Sequence, residues 1–195
     1  MLGLHYFMAA DFKPYQFVTY IFMHGNLMHL FFNMFAVFMF GAVLENAWGP
    51  KRFLIFYIFT GLGAALTQLC VYYFQITPRL EQWQAVYNAT ADYATQTAML
   101  EDKKAFLNQF VVVGASGSLF GLLIAFGLMF PNAELMMLFL PIPIKAKYFV
   151  AIYGAIELFS GIANSAKDNV AHFAHLGGML FGFLLYMFWR RKRQY

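Results

Sequence analysis

The chain has 195 residues, of which 62% are hydrophobic and only 11% charged, against about 25% charged in a typical soluble domain. This composition excludes an ordinary soluble globular domain and points to a polytopic membrane protein. The formal net charge of +4 gathers in loops and at the C-terminus, so it reads as membrane topology, with no nucleic-acid partner expected.

Taken in order, residues 1–23 fall short of spanning length because Asp11, Lys13 and Pro14 interrupt them. Residues 2–10 are expected as a short aromatic segment at the membrane interface. The first span is expected over residues 20–43, before Glu45-Asn46-Ala47-Trp48-Gly49-Pro50, and the second over 53–76. Residues 77–109 read as a polar insertion. Within it Leu80, Trp83, Tyr87, Ala91, Ala94 and Ala98 recur at helical steps, which suggests an amphipathic helix lying on a surface. The third span is expected over 110–130, a proline-containing loop over 131–147, the fourth span over 148–162 and the fifth over 170–189. A basic tail, residues 190–195, closes the chain. The single cysteine, Cys70, sits in an apolar run and excludes an intrachain disulfide.

Five alternating spans make the orientation calculable. One side collects Lys51, Arg52, Lys145, Lys147 and Arg190 to Arg193, with Glu134 the clear acid among them. The other carries Lys13, Arg79, Lys103, Lys104 and Lys167, diluted by Asp11, Glu81, Asp92, Glu101, Asp102 and Asp168. By the positive-inside rule the C-terminus is cytoplasmic, and the N-terminus and the insertion face outside. Ser116 and His175 each lie a few residues into a span entered from outside, at roughly 8–9 Å depth if the rise is helical. His29 and Asn33, one helical turn apart, share a face of a third such span near that level. Polar side chains inside a bilayer are costly, so four converging at one depth are candidates for function.

The residue types suit acyl transfer. A serine hydroxyl becomes a nucleophile when a base removes its proton, and neutral histidine serves near pH 7. Ser116 lies in Gly114-Ala115-Ser116-Gly117, a run that by itself is also what close helix packing uses. Gly117 and Gly121 form one GxxxG, and Gly178 and Gly182 form another on the face that carries His175. Both would let the two helices approach closely.

Three segments carry a resemblance: GASG at residues 114–117, AHLGGMLFG at 174–182 and HGNLMHLFFN at 24–33, with ENAWGPKRF at 45–53 beside them. In order and spacing they resemble the rhomboid intramembrane serine proteases, over most of the chain apart from the insertion. The resemblance implies an all-α, rhomboid-like bundle as a single domain over residues 1–195. It implies Ser116 as nucleophile and His175 as general base, in a dyad without an acidic third member. It also implies His29 and Asn33 as oxyanion-hole donors beside the Ser116 backbone N–H. Single-span membrane proteins, cut near the outer bilayer boundary, are the expected substrates, and a bacterial inner (plasma) membrane the expected location. The family's usual first helix of six is expected to be absent from these residues.

The remaining candidates are weaker. Phe120, one turn after Ser116, either packs the core or orients His175 by stacking. His172 lies on the His175 face and is at most a support for it. His24, well around the helix from His29, is expected to order that helix's outer end, and His5 carries no signal. No HExxH or comparable ligand set occurs, so neither metal nor cofactor is expected; His172, His175 and His29 are what a metal would have to use. Glu157, near the middle of the fourth span, is expected as a buried neutral carboxyl bonded to Tyr153 or to a backbone carbonyl, in preference to a proton relay. The alternative to a protease is a rhomboid-like protein, or a transporter, that binds membrane helices without cutting them.

Overall fold

Three helices with small residues on their facing surfaces meet at the centre of the protein, in a computed structural model that describes residues 2–137, 140–163 and 171–192. In chain order the elements are β1 (Leu4–His5), α1 (Gln16–Thr19) with a 3-10 turn at Tyr20–Phe22, and α2 (Leu27–Ala36). A π-helical turn at Val37–Gly41 joins α2 to α3 (Ala42–Trp48). Then follow α4 (Pro50–Ala89), α5 (Tyr93–Asn108), β2 (Val111–Val112), α6 (Ser116–Met129), β3 (Glu134–Met137), β4 (Leu140–Lys145), α7 (Ala146–Ala163) and α8 (His172–Lys192). This is a helical polytopic membrane fold. Among the described residues, four segments are long and apolar enough to cross a bilayer: Leu27–Trp48, Pro50–Ala89, Ala146–Ala163 and His172–Lys192. Their outer faces show side chains such as Phe38, Phe74 and Phe159, each more than 70% exposed. Such faces suit lipid and would be untenable in water.

Helix boundaries follow local chemistry. The first span starts at Leu27 and not at residue 20, because Met23 and Asn26 are extended and Asn26 caps α2, accepting the His29 N–H at 2.8 Å. Gly49, at φ 82°, ends α3, and Pro50 opens α4 at a position where its missing N–H costs nothing. The fourth and fifth spans lie close to their expected places, as α7 and α8.

Four expectations are corrected. First, α4 continues through Pro78 to Ala89; its 40 residues reach about 60 Å at helical rise, twice a hydrocarbon core of ~30 Å. The insertion is therefore not one helix lying along a surface. It is a hairpin of the end of α4 and α5, turned at Thr90–Asp92, with Asp92 capping α5 through Thr95. Leu80, Trp83 and Tyr87 sit on α4, and Ala94 and Ala98 on α5. Trp83 packs against Phe106 at 5.3 Å, and the Arg79 guanidinium lies over the same ring at 4.4 Å.

Second, the third span is not helical throughout. The β-branched residues Val111 and Val112 are extended as β2, which pairs antiparallel with β1, Leu4 opposite Val112. Only α6 is helical, 14 residues or about 21 Å. Ser116 is its first residue, so the depth taken from helical rise through residue 110 does not hold. Third, the N-terminal segment is not merely interfacial: Leu4, His5 and Tyr6 are fully buried by that pairing and by Gln16. Fourth, the loop after α6 is a β-hairpin, Glu134 opposite Lys145. Lys167, Asp168, Val170 and Arg193 lie outside the described residues.

Candidate active site

The site exists because two backbones nearly touch. A Cβ added at Gly178 would overlap the Gly117 carbonyl oxygen, and one at Gly182 would lie 3.0 Å from the Gly121 Cα. These glycines bring α6 and α8 together, as their GxxxG spacing predicts. On its other side α6 meets α4: a Cβ on Gly117 would stand 2.5 Å from the Ala64 Cβ, and one on Gly121 2.5 Å from the Thr60 Cβ. At the end of the α6–α8 seam, His175 Nε2 lies 2.7 Å from Ser116 Oγ. His175 is 8% exposed and its imidazole stacks on Phe120, centroids 4.3 Å apart and planes 9° apart. Of the two readings of Phe120, the structure therefore carries the stacking contact, on a ring that also packs in the core.

Glu157 corrects a further expectation. Its carboxylate does not bond Tyr153 or a backbone carbonyl; Oε2 lies 2.9 Å from His175 Nδ1 and 2.6 Å from His172 Nδ1. The histidine that faces Ser116 thus has an acidic neighbour, contrary to the dyad expectation. The missed signal was the cost of a carboxylate inside a membrane helix, which is met by ring N–H donors. His172, held edge-on to His175 at 6.4 Å, is part of this cluster.

The loop before α6 is held from the other side. Gly114 takes φ 126°, where a side chain would be strained, and a Cβ there would come 2.9 Å from His29 Nε2 and 3.5 Å from Ser116 Oγ. Its N–H donates to the Tyr20 carbonyl at 3.0 Å, and the Tyr20 hydroxyl donates to the Gly61 carbonyl at 2.7 Å. Sequence reasoning missed Tyr20 because it read the residue as the start of a span. His29 is brought beside Gly114, and its Nδ1 accepts the Gly25 N–H at 3.4 Å. That bond assigns the proton to Nε2, the nitrogen that faces the Gly114 loop. Asn33 is buried, 4% exposed, with Nδ2 lacking a hydrogen-bond partner among the described residues. The N–H groups of the first turn of α6, Ser116 included, have no intrahelical acceptor.

Ser116, His175, His29, Gly114, His172 and Tyr20 all line one cavity of about 940 Å³. Asn33 does not line it. A serine hydroxyl, an imidazole with a carboxylate behind it and a second ring N–H gathered around one loop are groups of the kind that acyl transfer uses. His172, His175 and Glu157 also form a potential metal-ligand set, whereas His29 stands apart from it.

The fold defines a multi-pass helical membrane protein in which Ser116 and His175 are hydrogen-bonded at one cavity. Residues 11–192 match the rhomboid domain, and the chain belongs to the rhomboid family, which includes serine proteases. It is similar to rhomboid protease AarA of Providencia stuartii, 26% identical over 84% of this chain and 51% of that protein. It is also similar to the chloroplastic rhomboid-like protein 11 of Arabidopsis thaliana, 29% identical over 88% of this chain and 51% of that one. The putative rhomboid protease YdcA of Bacillus subtilis is 26% identical over 95% of this chain and 72% of its own length. The chain spans about half the length of the first two relatives.

Proposed function

We propose that this chain is an intramembrane serine endopeptidase that cuts single-span membrane proteins near the outer boundary of the bilayer. The observation that carries the reading is the 2.7 Å hydrogen bond between His175 Nε2 and Ser116 Oγ. As Ser116 Oγ attacks the scissile carbonyl, its proton passes to His175 Nε2. The tetrahedral oxyanion is held by His29 Nε2–H and the Ser116 N–H, and by the Asn33 amide if its unpartnered Nδ2 turns into the cavity as substrate binds. The imidazolium then protonates the leaving amine, and water, deprotonated by His175, hydrolyses the acyl-enzyme. Each preorganised donor at the oxyanion is worth ~10²–10³ in rate. Gly114, Gly117, Gly121, Gly178 and Gly182 serve by letting the backbones close, and Phe120 and His172 by flanking His175. The whole chain acts as one domain in a bacterial inner membrane, with the insertion outside and the basic C-terminal residues in the cytoplasm.

A protein that only binds membrane helices has no need of a histidine bonded to a serine at this length, and for that reason we favour the protease. The test is labelling by a serine-directed fluorophosphonate probe. Wild type should label and Ser116→Ala should not; equal labelling of both, or of neither, overturns the reading.

A further inference from the structure

We infer that Glu157 is a positioning residue for His175, which makes the site a Ser116–His175–Glu157 triad; the inference rests on the protease reading above. Glu157 Oε2 accepts from His175 Nδ1 at 2.9 Å while His175 Nε2 faces Ser116 Oγ at 2.7 Å. A proton held on Nδ1 by the carboxylate leaves the Nε2 lone pair free for the serine proton. When that proton arrives, the ring becomes an imidazolium with a carboxylate against its far side. No proton needs to move to Glu157.

Two further contacts make the arrangement more than a chance pairing. The His172 Nδ1 reaches the same Oε2 at 2.6 Å. An ionised carboxylate accepts from both rings, so the charge is met within the bundle by two N–H donors of α8. Glu157 is 6% exposed and comes from α7, so it fixes the α8 histidine from a separate helix. Phe120 holds the plane of the ring, and Glu157 fixes its rotation and its tautomer.

The same three residues also form a His–His–Glu set of the type that binds zinc. The distances decide between the readings. Ligands at ~2.0–2.1 Å around a tetrahedral zinc lie about 3.3 Å apart, whereas the 2.6 and 2.9 Å seen here are hydrogen-bond lengths. A metal on His175 Nδ1 would also force the proton onto Nε2 and block the base.

The test uses the full chain in detergent or liposomes, with a single-span substrate and the fluorophosphonate probe. Glu157→Gln keeps the shape and an acceptor oxygen but loses the charge. It should lower kcat ~10–10³-fold with KM within about twofold, and melt close to wild type. Glu157→Asp keeps the charge at a longer reach and should fall between wild type and Glu157→Gln. In protein labelled with ¹⁵N-histidine, the downfield Nδ1–H proton of His175 should be present in wild type and lost or shifted upfield in Glu157→Gln. Prior chelation should leave wild-type labelling unchanged. The inference is overturned if Glu157→Gln turns over like wild type, if Glu157→Asp is no better than Glu157→Gln, or if chelation abolishes activity. A wild type that never labels would sink the protease reading itself, which separates the two failures.

Discussion

The Phe120 ring lies flat over the His175 imidazole, 4.3 Å between centroids at 9°. A stacked ring restrains tilt without taking up either ring nitrogen, so both remain for Ser116 and Glu157. Aromatic pairs contribute roughly 0.5–1.5 kcal/mol beyond burial, which corresponds to about a 2- to 12-fold effect if felt only in the reactive geometry. Phe120→Leu, a swap between apolar side chains, should therefore lower kcat ~3- to 10-fold, whereas Phe120→Tyr should stay within about twofold of wild type. Turnover of a single-span substrate, measured beside thermal unfolding, checks both. A Phe120→Leu protein that loses stability but keeps kcat would show that Phe120 only packs.

What was legible in the sequence and what was not divide along physical lines. Ser116, His175 and the paired glycines could be read because polar and very small residues stand out against lipid-exposed apolar helices, and because Gly178 and Gly182 repeat on the His175 face. Hydropathy, however, does not distinguish an extended Val111-Val112 from a helical one. The start of α6 depended on a two-residue pairing with Leu4–His5, more than a hundred positions away. Glu157 was visible as an anomaly but not as a partner, since its contacts join α7 to α8 and depend on side-chain rotamers. The hairpin at Thr90–Asp92 was hidden because Leu80 to Ala98 keep helical spacing across a turn that only the Asp92 cap marks.

The glycines should be unequal. At Gly178 the atom in the way is backbone, the Gly117 carbonyl, and neither helix can move aside without carrying Ser116 or His175 with it. Gly178→Ala should destabilise by roughly 1–3 kcal/mol or more and abolish probe labelling. At Gly154 a Cβ would meet the end of the flexible Met179 side chain, Cε at 3.1 Å and Sδ at 3.5 Å. Gly154→Ala should be neutral or mildly stabilising, because alanine suits a helix interior better by about 0.5–1 kcal/mol. Unfolding of each in mixed micelles gives the comparison; equal costs would mean that the α6–α8 seam is not the tight contact.

Asn33 and His29 can be separated from packing residues by the sign of their stability effect. The Asn33 amide nitrogen is buried without a partner among the described residues, and an unpaired buried donor costs roughly 1–3 kcal/mol. Asn33→Ala should then lower turnover ~10- to 10³-fold while leaving the melting temperature level or slightly raised. His29→Ala should lose a similar factor, since its Nε2 is the donor next to Gly114. A fall in melting temperature that tracks the loss of activity in both would assign them to packing.

Orientation can be tested at the two ends of the charge asymmetry. With five alternating spans Lys51, Arg52, Lys145, Lys147 and the C-terminal basic residues would share one side, and moving such loops across a membrane is what the positive-inside bias resists. The 40 residues of α4 reach about 60 Å, so on the proposed topology its C-terminal turns and α5 would stand clear of the hydrocarbon on the other side. Since Cys70 is the only cysteine, Cys70→Ala gives a clean background for single probes. Ala91→Cys sits exposed in the α4–α5 turn, and Arg191→Cys sits exposed in the last turn of α8. In intact bacterial cells whose outer membrane has been permeabilised, a membrane-impermeant maleimide should label Ala91→Cys at once and Arg191→Cys only after the inner membrane is broken. The converse pattern would turn the bundle over and put Ser116 at the cytoplasmic boundary, and substrates would then have to be cut on that side.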